Sequence, residues 1–490
     1  MVACSPRTRV LASLLLLVVC FFPLLWIAQY NFPTGDDYLT FFQARTLGPL
    51  RATRWWYFNW TGRYTAFFLQ SLYPEYDAWL AAYRRIPVAL LVFGFASLWY
   101  FLRAFLGREI PRADSFTLAA AMYVFLIGLT PDIATAFYWL ISSLLFMGAF
   151  FVTLLILGLY IDLETAARRS TRVVLSTVVI MLIVFLCGLN EVSLLLFLAI
   201  FALINCHQLV HSRKFSARGV TFLAFGIVFG LVALWAPGNA VRAGQLRIKT
   251  QMLGTLPDGL TTTLGLLLKL LVTTPLLLAS GLYYAFLQAN RDRLTGLRSL
   301  LSGVRWYWVL VFIVCIVTVV NVVVFGKIGV GGVPQRVQNL YVFSMVLGWF
   351  FFVTVLFINV SAAYGEVRTS KWLLAAFTAA VGVFLVTGFA VQVGVGNADP
   401  SGNRLRDAVS RIHTNSVYAN AYLDLLSGRA SRYDAQNGET ARRVKAADGE
   451  CVEIPPPAAM PTTIALDWVK YPWRWCAREY LREQYGSASP

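Results

Sequence analysis

Apolar residues in this chain come in long unbroken runs, at 10–27, 86–106, 115–130, 138–161, 173–188, 192–209, 219–236, 265–289, 306–325, 340–362 and 372–394. Each is close to the roughly 20 residues that cross a hydrocarbon core as a helix. The pattern predicts an all-α polytopic membrane protein with about eleven transmembrane helices. The runs are continuous rather than alternating, which argues against a porin-type barrel. Lys269 falls in the long apolar stretch 260–289 and predicts an amphipathic lead-in to that span. Arg7 and Arg9 precede the first run as they would in a signal peptide. That run is bulky throughout and lacks a small-x-small cleavage site, so it reads as a retained first helix.

The segments between the runs set a topology. One set of loops carries Arg103, Arg108 and Arg112, then Arg168, Arg169 and Arg172, then Arg213, Lys214 and Arg218, then Arg291, Arg293, Arg298 and Arg305, then Arg368 and Lys371. By the positive-inside rule these loops and the N-terminus are cytoplasmic. Eleven spans then divide the chain into a transmembrane module, 1–396, and a small extracytoplasmic C-terminal region, 397–490. The first outer loop, 30–85, holds two helical-looking pieces, Asp36–Leu47 and 53–72, separated at Gly48-Pro49. Both are aromatic-rich with scattered arginines, which suits helices lying in the membrane interface. The tail has turn-rich stretches such as IPPPAAMP, and its DWVKYPWRWCAREYL segment predicts an aromatic helix returning to the interface.

Composition narrows the function classes. The 490 residues are 58% hydrophobic and only 13% charged, against about 25% charged in soluble domains. Soluble multidomain, disordered, collagen-like and coiled-coil readings are excluded. The net charge of +17 is accounted for by loops near lipid headgroups. No soluble basic domain is present, so no nucleic-acid partner is expected. Nor is there a G-x-x-x-x-G-K-[ST] or G-x-G-x-x-G, so the chain shows no nucleotide site. Of the seven cysteines, Cys20, Cys187 and Cys315 fall in apolar runs and read as small buried side chains. Cys451 and Cys476 lie in the tail and can pair in an oxidising compartment.

The unusual polar residues gather on the side opposite the basic loops. Asp36-Asp37 follows the first span, where a carboxylate in a partly dehydrated interface is costly unless partnered or used. Arginines Arg45, Arg51, Arg54, Arg63, Arg84, Arg85, Arg242, Arg247 and Arg336 lie there against the positive-inside bias. Interface anchoring accounts for Arg45, Arg51, Arg84 and Arg85. Arg63, Arg242 and Arg336 each follow a Gly or Pro turn that can bring backbone close to a ligand. Guanidinium binds phosphate bidentately and stays charged in a low-dielectric site. Acids and arginines on one membrane face thus point to a phosphorylated lipid and a carboxylate base. Glu191 and Asp132 are further acids on this face, each also readable as a satisfied helix-end residue. Asn190, Asn239 and Gln335 suit either sugar hydroxyls or turns and caps. His207 and His211 have a metal-ligand spacing but no nearby carboxylate, so they read as interface polar residues; His413 takes no role. Asn59-Trp60-Thr61 is a formal glycosylation sequon of a kind common by chance.

These landmarks carry a resemblance. An outer Asp-Asp after the first span, interfacial helices in a long first loop and about eleven spans resemble the GT-C superfamily of membrane glycosyltransferases. TGDDY (34–38), WTGRY (60–64), GLNE (188–191), APGNAVR (236–242), VPQR (333–336) and WRWCAREY (473–480) are similar to a bacterial group related to the O-antigen glucosyltransferases of serotype conversion. Tail motifs of the oligosaccharyltransferase branch are not found, so a peptide acceptor is not expected.

The resemblance implies a multi-pass protein of the bacterial inner membrane. A polyprenyl-phosphate-sugar would be the donor lipid, and an envelope glycan or lipid the acceptor. One acid of Asp36-Asp37, by preference Asp36, would act as base. Trp60, Arg63, Tyr64, Asn190, Glu191, Asn239, Arg242, Gln335 and Arg336 would contact substrate. A single displacement with one base predicts inversion. No cofactor is required; the second acid would hold the acceptor, an arginine or a divalent cation (Mg or Mn), although no ligand cluster in the sequence supports a metal. The competing expectations are a transporter or flippase of lipid-linked sugars, for which Lys269 and Asn321 are the ionisable and polar candidates, and a non-catalytic scaffold of envelope assembly.

Overall fold

The structure, a computed structural model, describes residues 5–34, 36–212, 216–245, 253–301, 303–328, 333–364, 370–393, 406, 409, 411–447, 451–454, 460–465 and 473–475. It is an all-α polytopic membrane protein. In chain order the helices are α1 (Pro6–Ile27), α2 (Asp36–Leu47), α3 (Pro49–Asn59), α4 (Tyr64–Ser71), α5 (Tyr76–Leu106), α6 (Arg112–Gly128), the single turn α7 (Leu140–Ser143), α8 (Ala149–Thr165), α9 (Arg169–Cys187), α10 (Glu191–Ser212) and α11 (Ala217–Leu234). Then come α12 (Pro237–Gln245), α13 (Leu256–Thr273), α14 (Leu276–Ala289), α15 (Thr295–Leu301), α16 (Trp306–Ile328), α17 (Gln335–Tyr364), α18 (Lys371–Thr387), and in the tail α19 (Val417–Leu426) and α20 (Arg429–Ala447). Among the described residues nine helical stretches are long and apolar enough to cross a membrane. The runs at 115–130 and 372–394 form the 17-residue helices α6 and α18.

Four expectations for the transmembrane module are corrected. The single span at 265–289 is two helices, α13 and α14, broken at Thr274-Pro275 because proline cannot donate the next helical hydrogen bond. The 53–72 piece is α3 and α4, interrupted at 60–63. The last run stops at Thr387, where Gly388 takes a left-handed φ of +60°, and continues as strand β1 (Val391–Val393). Cys315 is exposed on α16, whereas Cys20 and Cys187 are buried.

Lipid offers helices no hydrophobic drive to associate, so close packing and polar contacts hold the bundle. Small residues allow it. A Cβ on Gly94 of α5 would stand 2.5 Å from the Phe151 ring of α8, and one on Gly158 would stand 2.8 Å from Tyr100. The core is aromatic: Phe137, Phe151 and Phe343 are fully buried, with Phe150 and Phe343 rings edge to face at 5.6 Å. At the end of the bundle where α1 starts, Arg9 pairs with Asp114 at 2.5 Å, Arg108 with Asp162 at 3.0 Å and Arg218 with Glu164 at 3.5 Å.

The tail packs on the other end. Tyr418 donates to the Val124 carbonyl and Tyr422 to that of Val19, and Arg84 of α5 pairs with Asp434 of α20 at 2.8 Å. Strand β1 pairs antiparallel with β2 (Ile412–Thr414), and β3 (Val452–Ile454) with β4 (Trp473–Trp475). Residues 473–475 are therefore strand, not part of the helix the sequence predicts; the rest of that segment lies outside the described residues. Cys451 is disulfide-bonded; Cys476 lies outside the described residues.

Candidate functional site

The site forms at the end where α1 finishes. Helix α2 starts there with Asp36 and Asp37 in its first turn, where the helix dipole favours acids. Adjacent positions on a helix point about 100° apart, and the two carboxylates have different surroundings. Asp37 is 2% exposed. Its Oδ2 accepts from the Thr34 N–H at 3.0 Å and from the Tyr83 hydroxyl at 2.9 Å. Burial pushes its pKa up to about 7, against the opposing pull of those hydrogen bonds. Asp36 is exposed, yet enough protein surrounds it that desolvation raises its pKa, while Arg336 and then Arg242 pull it down.

The 60–63 loop brings in the first arginine. Gly62 is forced here, since a Cβ would stand 1.8 Å from the Ala233 carbonyl oxygen. The Gly62 N–H donates to Asn239 Oδ1 at 3.2 Å, and Asn239 Nδ2 donates to the Ala233 and Leu234 carbonyls. Gly238 fits against the loop's other side, where a Cβ would meet the Trp60 backbone nitrogen at 2.4 Å. So held, Arg63 donates from Nε and Nη2 to Glu191 Oε2 at 3.0 and 2.9 Å.

Arg242 on α12 lies over the Trp60 ring, 5.3 Å from its centroid. Arg336 at the start of α17 lies over the Trp139 ring at 5.2 Å. Among the described residues neither forms an ion pair within 4.0 Å. Burial lowers the Arg242 pKa to about 10, helped by the charges of Arg63 and Arg336 and opposed by Glu191 and Asp36. The cluster is therefore Asp36 under the electrostatic influence of two arginines stacked on indoles, near an Arg63–Glu191 pair. Cation–π contact holds a guanidinium without neutralising it.

Other expected residues make structural contacts or are exposed. Asn190 Oδ1 accepts the Val192 N–H at 2.7 Å at the start of α10. Asn239 clamps the 60–63 loop as described. Tyr64 donates to the Val184 carbonyl on α9 at 2.7 Å. Gln335 is exposed at the start of α17. Asp132 Oδ1 accepts the Ala134 N–H at 3.1 Å within its own turn. Asn321 donates to Thr263 Oγ1 at 2.8 Å and is fully buried, while Lys269 is exposed. The side chains of His211 and His413 and the whole of Arg247 lie outside the described residues. Among the described residues no three His, Cys, Asp or Glu side chains gather as a metal site.

Three contributors were not singled out from sequence. Trp139 ends a π-helical stretch, Ala134–Tyr138. Asn339, fully buried on α17, donates to the Asp132 carbonyl at 2.9 Å and to Thr135 Oγ1 at 3.1 Å; it ties that stretch to the helix bearing Arg336. Tyr83 anchors Asp37. Asn339 stands in the polar stretch PQRVQN just before the run 340–362 and carried no signal of its own. Trp139 and Tyr83 look like any interface aromatic. Below Glu191, between α10, α11 and α16, lies a cavity of about 240 Å³ lined by Leu194, Leu198, Ile227, Gly230 and Leu231 among others.

Comparison with protein-family models, with curated proteins and with solved structures found no match to this chain.

Proposed function

We propose that this protein is an integral membrane glycosyltransferase. It takes a sugar from a polyprenyl-phosphate-linked donor and adds it, with inversion, to an envelope glycan or lipid acceptor on the extracytoplasmic face. The observation that carries the reading is an exposed Asp36 within the electrostatic reach of Arg336 and Arg242, each stacked on an indole and neither ion-paired among the described residues. Asp36 takes the proton of the acceptor hydroxyl as that oxygen bonds to the anomeric carbon. The bond from that carbon to the phosphate oxygen breaks on the opposite side, and the lipid phosphate leaves with the electron pair.

Charge arithmetic supports this assignment. Before transfer, a phosphodiester of charge −1 and Asp36 of −1 face two arginines of +2. Afterwards Asp36 is neutral and the phosphate monoester approaches −2 against the same +2. The balance at the site is kept while negative charge moves onto the leaving group, where preorganised donors lower a barrier most. Desolvation raises the Asp36 pKa above the ordinary carboxylate range, which makes it a stronger base.

The cavity beneath Glu191 supports a lipid-borne donor. At ~30 Å³ per water-sized group, 240 Å³ holds roughly two isoprene units. The test is glycan mass analysis of envelope fractions from cells carrying the wild-type or the Asp36→Asn protein. The reading requires loss of one hexose or pentose increment with the variant inserted at normal levels. An unchanged glycan profile overturns it.

A further inference from the structure

Helix α3 is docked by one face only. Ala52 and Trp56 are buried, and the Trp56 ring stacks on Phe67 of α4 at 4.6 Å. On the other side Leu50 is 74% and Phe58 47% exposed, and Arg51 and Arg54 are exposed. At about 100° per residue these four positions fall within one arc of roughly 100°. Arg54 lies 5.8 Å from the Phe58 ring centroid. The face continues onto the end of a membrane-spanning helix: Tyr57 donates to the Val232 carbonyl of α11 at 2.8 Å, and Val232 and Trp235 are exposed there.

Such a face fits neither bulk phase. Hydrocarbon penalises the arginines, and water penalises Leu50 and Phe58. The headgroup layer satisfies both, with apolar side chains directed to the acyl boundary and guanidinium groups at phosphate level. Both charges on the face are positive, so the complementary lipid is anionic.

We propose that the Leu50, Arg51, Arg54 and Phe58 face of α3 binds anionic phospholipid headgroups. Helix α3 runs directly into the 60–63 loop, so this contact sets the depth at which Arg63 is presented. The proposal is independent of any sugar-transfer chemistry. Each basic residue near an anionic surface raises association about five-fold, so the pair contributes roughly 30-fold.

The test places a nitroxide at Leu50→Cys in the full-length protein with Cys206 and Cys315 replaced by serine. The protein is reconstituted in phosphatidylcholine nanodiscs with or without phosphatidylglycerol. The expected result is a label shielded from an aqueous relaxation agent, sinking deeper when phosphatidylglycerol is present. That response should disappear in Arg51→Gln/Arg54→Gln, or in Arg51→Gln alone where the double variant fails to reconstitute. A label bathed in water in both discs, a depth independent of phosphatidylglycerol, or a response that survives loss of the arginines overturns the proposal. A water-bathed label would indicate a soluble acidic partner instead.

Discussion

The Arg242 guanidinium lies over the Trp60 ring, 5.3 Å from its centroid, and makes no ion pair with Asp36. Asp36 and Arg242 each shift the other's proton affinity. Holding a cation on an indole keeps its charge available and keeps the carboxylate from being quenched. A site for an incoming anion and a hydroxyl proton needs both.

Asp36 and Asp37 should separate in mutagenesis. Asp36→Asn should lower transfer by about 10²–10⁴-fold, the usual contribution of a positioned base, with little change in folding. Asp37→Asn keeps an acceptor for Thr34 and Tyr83 and should retain most activity. Transfer assays on both variants at equal membrane levels check this; equal losses would contradict the division of roles.

Asp37 also predicts a stability profile. Its folded pKa of about 7 lies above the ordinary carboxylate value, so the folded state binds the proton more tightly. Its stabilising contribution is complete below about pH 4 and is lost as pH rises through 7, at up to ~1.4 kcal/mol per pH unit. Thermal unfolding in detergent should show midpoints falling between pH 5 and 8 in the wild type, with a flatter profile in Asp37→Asn.

Arg336 is the charge that most strongly holds the Asp36 pKa down. Removing it should move the acid limb of the rate profile to higher pH, since the carboxylate then protonates more readily. Arg336→Gln should therefore lower the maximal rate and also shift that limb upward. A lower rate with an unmoved limb would place Arg336 out of contact with Asp36 during the reaction.

Gly62 and Gly230 make opposite demands. A methyl at Gly62 would run into the Ala233 carbonyl, a backbone atom that cannot step aside. Gly62→Ala should disrupt the Arg63–Glu191 pair and abolish transfer, with a lowered unfolding midpoint. At Gly230 the nearest atom is the end of the flexible Leu194 side chain, at 2.8 Å. Gly230→Leu should fold but fill the apolar cavity, raising KM for a long-chain donor while leaving kcat largely unchanged. Steady-state kinetics on the reconstituted variant reads the split.

The apolar runs determined by themselves that this is a helical membrane protein, because a run of about 20 such residues has few other stable fates. The loops also determined which side carries the basic clusters and which carries Asp36-Asp37, since charge counts in loops need no three-dimensional information. Sequence could not divide roles within pairs. Asp36 and Asp37 are chemically identical, and only the docking of α2 against Tyr83 buries one and leaves the other exposed. Nor could it separate Asn239, a clamp on the 60–63 loop, from the arginine three residues later whose charge reaches Asp36. Trp139 and Asn339 joined the site because packing of the π-helical stretch against α17 brings together residues some 200 positions apart. Composition is a property of the chain, whereas burial and the proximity of distant charges depend on which helix faces meet, and the tertiary structure alone decides that.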